Sequence, residues 1–324
     1  MDDVEIRRYA EARATLADLG LSRSRLRSGH DFDAHVLNMD GADHLRHRQA
    51  VDAALSAAVT ARLPLLTAVT RTVVADLPVG LPVDVGVLVA YRLASAVLDL
   101  VVGLGGPESH PYWVNLARAI DLGDLGPNVL PEALARLTAI ADDTSSDQPR
   151  TMAAWLARSG LSSREVAANL LFTVSAGMTN LSNALGSALV ALARHPDAYA
   201  WLAADPATRL TTATDELLRF GEPPGRHSTR VASDGRTFRI FKAAANRDPH
   251  RYADPDRLDL ARVPNPHLTF GHGRHYCPAA LLSRLVLDQT LLALVRRFAR
   301  LDLIEPLETW DSFDRRPLTI IFHL

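Results

Sequence analysis

The segment from Ser162 to Arg194 most restricts what this chain can become. It opens with Ser162-Ser163-Arg164-Glu165, a serine and a glutamate three residues apart. At that spacing each side chain answers the other's backbone N–H at a helix start. Helix-periodic apolar residues follow, and no proline intervenes before His195–Pro196. About 30 residues at 1.5 Å each give roughly 45 Å, enough to cross a whole domain. Asn169, Thr173, Ser175, Thr179, Asn180, Ser182 and Asn183 interrupt the apolar run, which suits burial in protein and not in lipid. Ala176–Gly177 near its middle offers two readings: a place where a flat ligand presses on the backbone, or a small-residue contact with another helix.

A chain of 324 residues with 48% hydrophobic and 22% charged residues can bury a large core as one or two domains. A formal net charge of −2 gives no reason to expect nucleic acid or an acidic membrane as partner. A single cysteine excludes an internal disulfide and suits a reducing compartment. Met1–Asp2–Asp3–Val4–Glu5 lacks the basic and apolar regions of a signal peptide, so a cytoplasmic location is expected.

Val4–Leu19 has helical spacing, and residues 20–43 read as loop. Asp43 to Arg48 opens a helix on which His44 and Arg48, four apart, share a face. Such a pair can clamp carboxylates, or it is simply a solvated basic face. Residues 50–104 are apolar and helical in period, with breaks expected near Pro64 and at Pro78–Pro82. Val83–Leu104 reads as a buried helix, since Asp84, Tyr91, Arg92, Ser95 and Asp99 argue against a membrane span. Short helices are expected over Tyr112–Ile120 and Pro131–Asp142, then a polar linker to Arg150. Glu216 and Arg219 pair on a helix, a weak motif alone. One strand is expected near Thr237–Phe241, and Leu318, Ile320 and Phe322 alternate like another.

The only cysteine lies in Phe270–Gly271–His272–Gly273–Arg274–His275–Tyr276–Cys277–Pro278–Ala279, ahead of an apolar helical run. Proline suits a first helical position, which makes Cys277 the expected cap. A thiol at a helix N-terminus favours its thiolate form, and a thiolate on a rigid loop can ligate a metal. The competing reading is a small buried hydrophobe.

This loop resembles the heme-binding loop of the cytochrome P-450 family, in which the cysteine thiolate is the axial iron ligand. Ala279 stands where the family usually has glycine. Glu216–Arg219, Ala244–Pro249, Asp254–Asp256 and the segment around Arg230 follow in family order. The resemblance implies a mainly α fold with a small β-sheet, reduced at the N-terminal strands and by one internal hairpin, in a single domain over residues 1–324. It implies heme b bound at Cys277, with Phe270, Gly271, Ala279, Ala176 and Gly177 around it and His44, Arg48, Arg230 and His275 holding the propionates. Pocket-lining residues would fall near 29–43, 110–135, 173–181 and 222–229. It also implies a small-molecule substrate and a ferredoxin-type electron donor or peroxide. The trimmed sheet suggests cover by a second copy of the chain, making a homodimer, or by a partner protein.

In the family, an acid and an alcohol on the long central helix pass protons to the reacting oxygen. Thr179 and Asn180 stand in those places here, and neither titrates near neutral pH. A specialised oxidative tailoring step in secondary metabolism, with Thr179 and Asn180 as the catalytic pair, is therefore expected over simple hydroxylation. The alternative is an auxiliary protein that activates a partner such as a glycosyltransferase. A third reading is a helical protein without cofactor.

Overall fold

The computed structural model describes residues 3–142, 149–221, 226–304 and 318–324. Its first half holds β1 (Asp3–Ile6), α1 (Tyr9–Ala17), α2 (Gly41–Ala75), β2 (Pro82–Asp84), α3 (Arg92–Val102), α4 (His110–Leu122), α5 (Val129–Asp142) and α6 (Met152–Leu156). Its second half holds α7 (Ser163–Arg194), α8 (Pro196–Ala204), α9 (Pro206–Phe220), β3 (Ser228–Val231), β4 (Thr237–Ile240), α10 (Lys242–Ala245), α11 (Ala280–Arg297), β5 (Arg300–Leu303) and β6 (Thr319–His323). The fold is mainly α with little sheet. Residues 143–148 of the expected linker, 222–225 of the expected pocket wall and 305–317 of the tail lie outside the described residues.

The chain divides into two compact units. The first takes Met1–Leu21, Thr70–Arg92 and Leu181–Leu324. It contains a sheet in the order β1-β4-β3, with β1 parallel to β4, and an antiparallel sheet in the order β2-β6-β5. The strand expected near Thr237–Phe241 is β4, and β3 folds back on it as a hairpin partner. Ile6, Tyr9, Leu16, Ile240, Tyr252 and Leu268 form one apolar cluster beneath the first sheet. In β6, Ile320 and Phe322 are fully buried, so the alternation seen in the sequence is that of a half-buried strand.

The second unit takes Ser22–Val69 and Leu93–Asn180. Leu93, Val97, Leu98, Val101 and Val102 give α3 an apolar face with no measurable or almost no exposure. The capping box forms as expected: Ser162 N–H donates to Glu165 Oε2 at 2.8 Å, and Glu165 N–H to Ser162 Oγ at 3.4 Å. α7 then runs without interruption to Arg194.

Two expectations fail here. Pro64 does not break the chain, because α2 continues through it. Pro64 and Thr60 are both exposed, so the lost hydrogen bond falls on the solvent side of the helix, where a proline costs least. Val83–Leu104 is not one helix. Val83 pairs with Ile320 in a sheet, and a wide π-helical turn over Gly86–Tyr91 precedes α3. A short apolar run has the same look in either state, and strand pairing decided it. Among the described residues, α2 is the one helix long and apolar enough to cross a membrane, by length and composition.

Candidate functional site

The cysteine loop is closed by its own backbone. Gly271 N–H donates to Leu268 O at 2.8 Å, Tyr276 N–H to Gly273 O at 2.9 Å, and Cys277 N–H to Phe270 O at 2.9 Å. Gly271 and Gly273 take φ of +75° and +73°, which side-chain-bearing residues rarely adopt. A Cβ on Gly273 would lie 2.9 Å from Ala17 Cα and 3.0 Å from Leu16 O, so the loop rests directly on α1. Arg274 Nη2 adds a bond to Leu21 O at 2.6 Å. The Arg284 guanidinium covers the Phe270 ring at 4.6 Å. Cys277 itself is half-buried.

Cys277 is not the helix cap. The first full helical turn runs from Ser283 N–H to Ala279 O at 2.9 Å, while Ala280 N–H turns back to Cys277 O at 3.3 Å. α11 therefore starts at Ala280 with Ala279 as cap, and the thiol stands three residues ahead of it. Ala279 has φ −89°, a conformation any residue takes, so no glycine is needed there.

Behind the loop, Arg219 Nε and Nη2 donate to the two Glu216 oxygens at 2.7 Å each, and neither side chain has any exposure. Arg219 Nη1 also reaches Asn246 O at 2.9 Å and Pro255 O at 2.8 Å. Asn246 Oδ1 in turn accepts from Leu268 N–H at 2.7 Å, at the root of the cysteine loop. Sequence pointed to the Glu216–Arg219 pair but missed Arg262 and Asn265. They donate to Glu216 at 3.3 and 3.1 Å from a segment with no helical or strand pattern. In this unit Arg230 is buried on β3, with Nη1 donating to Thr229 O at 2.9 Å, and His275 is half-buried in the single turn Gly273–His275.

In the other unit His44 is buried, and Arg48 Nε donates to Asp52 at 2.7 Å. Their unremarked neighbour His47 is fully buried, with Nε2 3.0 Å from Glu165 Oε1 and Nδ1 2.9 Å from Asn169 Nδ2. The Arg46 guanidinium, bonded to Glu165 at 2.5 Å, holds that carboxyl well below the usual carboxylate range. Burial pushes His47 down against the pull of Glu165. A polar cavity of about 530 Å³ lies here, lined by Arg27, His30, Asp33, Arg46, Arg164 and Glu165 among others. His35 stacks on Phe172 with ring centroids 4.3 Å apart, and burial lowers its pKa to about 3.

Further along α7, a Cβ on Gly177 would meet Leu98 Cδ2 at 2.7 Å, so the close approach at this glycine is to α3. Ala176 beside it is half-buried. Thr179 is buried, hydrogen-bonded to Asp121 Oδ2 and 3.1 Å from Ser175 O, while Asn180 is exposed. Sequence gave no sign of Asp121.

The donor set suits one kind of metal. No group of three or more His, Cys, Asp or Glu side chains that could hold a bare ion exists among the described residues. A rigid loop that presents one thiol suits a metal whose other ligands come with it, as in a porphyrin. The residues present fit heme.

No protein-family model matches the chain. It is 30% identical over 329 residues to putative cytochrome P450 126 of Mycobacterium tuberculosis, covering 89% of this chain and 76% of the relative. The fold matches that of P450BioI in complex with an acylated acyl carrier protein, at a TM-score of 0.86 and 24% identity, over 98% of this chain and 92% of that one. It also matches CxnD, a cytochrome P450 for C–S bond formation in chuangxinmycin biosynthesis, at a TM-score of 0.83 and 24% identity, over 99% and 86%. With relatives of this identity and a P450 fold over nearly its whole length, the chain belongs to the cytochrome P450 family of bacterial heme-thiolate oxidoreductases acting on small molecules.

Proposed function

We propose that this chain performs a specialised oxidative tailoring step on a small molecule of bacterial secondary metabolism, in the cytoplasm. The observation that carries the reading is the pair at 179 and 180. Thr179 is buried and hydrogen-bonded, Asn180 is exposed, and neither side chain can supply a titrating acid. CxnD, a P450 of the same fold that serves C–S bond formation, supports an outcome other than hydroxylation.

Bound heme b supplies the redox centre at which oxygen or peroxide is activated. The residue roles are proposed as follows. Cys277 is the axial thiolate, and its loop presents Phe270, Gly271 and Ala279 to the cofactor. Arg230, His275, His44 and Arg48 are the propionate partners. Ala176 packs against the cofactor face, beside Gly177 whose own close contact is α3, and Thr179 and Asn180 orient water or substrate by hydrogen bonds. Electrons come from a small ferredoxin-type iron–sulfur protein, or peroxide replaces them. A second copy of the chain or a partner protein adds at the outer strands of the β1-β4-β3 sheet, β1 and β3. A clean monomer by light scattering counts against that assembly.

The absorption spectrum of the purified protein is the test. A Soret band moving to about 450 nm on reduction under carbon monoxide supports the reading. A protein purified without heme after expression with ample heme supply favours the auxiliary role instead, against which the retained Cys277 speaks.

A further inference from the structure

We propose that Asp121 is the acidic partner of Thr179, and that the two together carry protons between solvent and the turn of α7 at Ser175–Thr179. The sequence of α7 holds one carboxylate, Glu165, and it is occupied at the helix start by Arg46, His47 and Ser162. The middle of the helix therefore has no acid of its own. Asp121 supplies one from α4, 58 residues away in sequence. It lies in the last turn of α4, just before Gly123 ends that helix at φ +69°. Asp121 is exposed, whereas Thr179 has only 4% of its surface exposed. The hydrogen bond between them thus joins a group in contact with water to a group that is not.

The chemistry of the contact gives it a direction. Thr179 Oγ1 faces two oxygens, Asp121 Oδ2 and Ser175 O. A threonine hydroxyl has one proton and two lone pairs, so it donates to one of them at a time. With Asp121 ionised, Thr179 donates to Oδ2. With Asp121 protonated, the acid O–H donates to Thr179 Oγ1, and the threonine turns its own proton to the Ser175 carbonyl. Every group is satisfied in both arrangements. One proton taken up from water at Asp121 therefore reverses the bond and turns the buried hydroxyl inward. When a basic oxygen of a bound molecule takes the Thr179 proton, Thr179 Oγ1 takes the proton of Asp121 and Asp121 recovers one from water, so both residues end as they began and one proton has passed inward. Asp121 is a positioning residue that acts through Thr179. Only the use of the proton in oxidation rests on the heme reading; the pair itself does not.

Infrared difference spectra of the purified protein across an acid titration test the pair. Comparison of wild type with Asp121→Asn isolates the carboxyl C=O stretch of Asp121. Thr179→Val is expected to shift that band, and Thr179→Ser to leave it in place. A band unmoved by Thr179→Val overturns the proposal, with or without heme bound. In the heme-loaded protein supplied with a reduced iron–sulfur donor, Asp121→Asn is expected to slow electron consumption about tenfold or more and to abolish its solvent deuterium isotope effect. Asp121→Glu should restore both. Unchanged rate and isotope effect in Asp121→Asn overturn the proton-carrying role. A protein that binds no heme sinks the functional reading and leaves the infrared result to decide the pair.

Discussion

Arg219 donates two hydrogen bonds of 2.7 Å to the Glu216 carboxylate, and neither side chain touches solvent. Removing one partner of such a pair strands the other charge in a low-dielectric interior, at a cost of about 3–5 kcal/mol. Arg219→Leu is expected to lose that much stability by urea unfolding. Arg219→Lys should rescue little, because an ammonium cannot reproduce the two-pronged contact and the bonds to Asn246 O and Pro255 O together. The same variants should retain less heme, since Asn246 also anchors Leu268 at the root of the cysteine loop.

Cys277→Ser should fold, because the loop is closed by backbone bonds that do not use the sulfur. It should lose the thiolate-type Soret band of the reduced carbon monoxide complex. Retention of that band would mean that another group is the ligand. Ala279→Gly should keep the spectrum and cost under about 1 kcal/mol, the entropy of a freer unfolded chain, since φ at this position asks for no glycine.

Gly177→Ala places a methyl group 2.7 Å from Leu98 Cδ2. Overpacking of this kind costs about 1–3 kcal/mol. Leu98→Ala alone should destabilise by leaving a cavity, yet the double variant should be more stable than the two single losses added together. Additive losses in denaturation midpoints would separate Gly177 from α3.

His35 gives a pH dependence whose sign follows from its burial. The folded protein holds it neutral down to a pKa of about 3, whereas the unfolded chain takes up a proton below the ordinary 6.5. Between those values the unfolded state binds more protons, so stability falls as pH falls, and the full contribution is present above 6.5. His35→Phe keeps an aromatic ring against Phe172 but cannot titrate. Between pH 7 and pH 5, the variant should lose about 2 kcal/mol less than wild type by urea unfolding.

Local spacing made much of this molecule legible. Ser162 and Glu165 are one helical turn apart, so their reciprocal bonds could be read from four letters, and the unbroken run to Arg194 followed. The cysteine loop was legible because its glycines and the cysteine sit at fixed short distances. Pro64 misled because its effect depends on whether the lost hydrogen bond falls on the solvent side, which spacing does not show. Val83 misled because its partner, Ile320, comes over two hundred residues later. Asp121, Arg262 and Asn265 were invisible for the same reason: each meets its partner only after long stretches of chain have folded back. Ordinary-looking loop and helix-end residues carry no mark of the contact they will make.

The bearing of Gly273 on Ala17 ties the order of synthesis to cofactor capture. A ribosome delivers the supporting wall early and the sulfur-bearing turn more than two hundred and fifty residues later. The nascent chain must therefore keep its first helix available, unpartnered by that turn, through most of translation. On the proposed ligation by Cys277, iron capture belongs to a late moment, when the two distant stretches first meet.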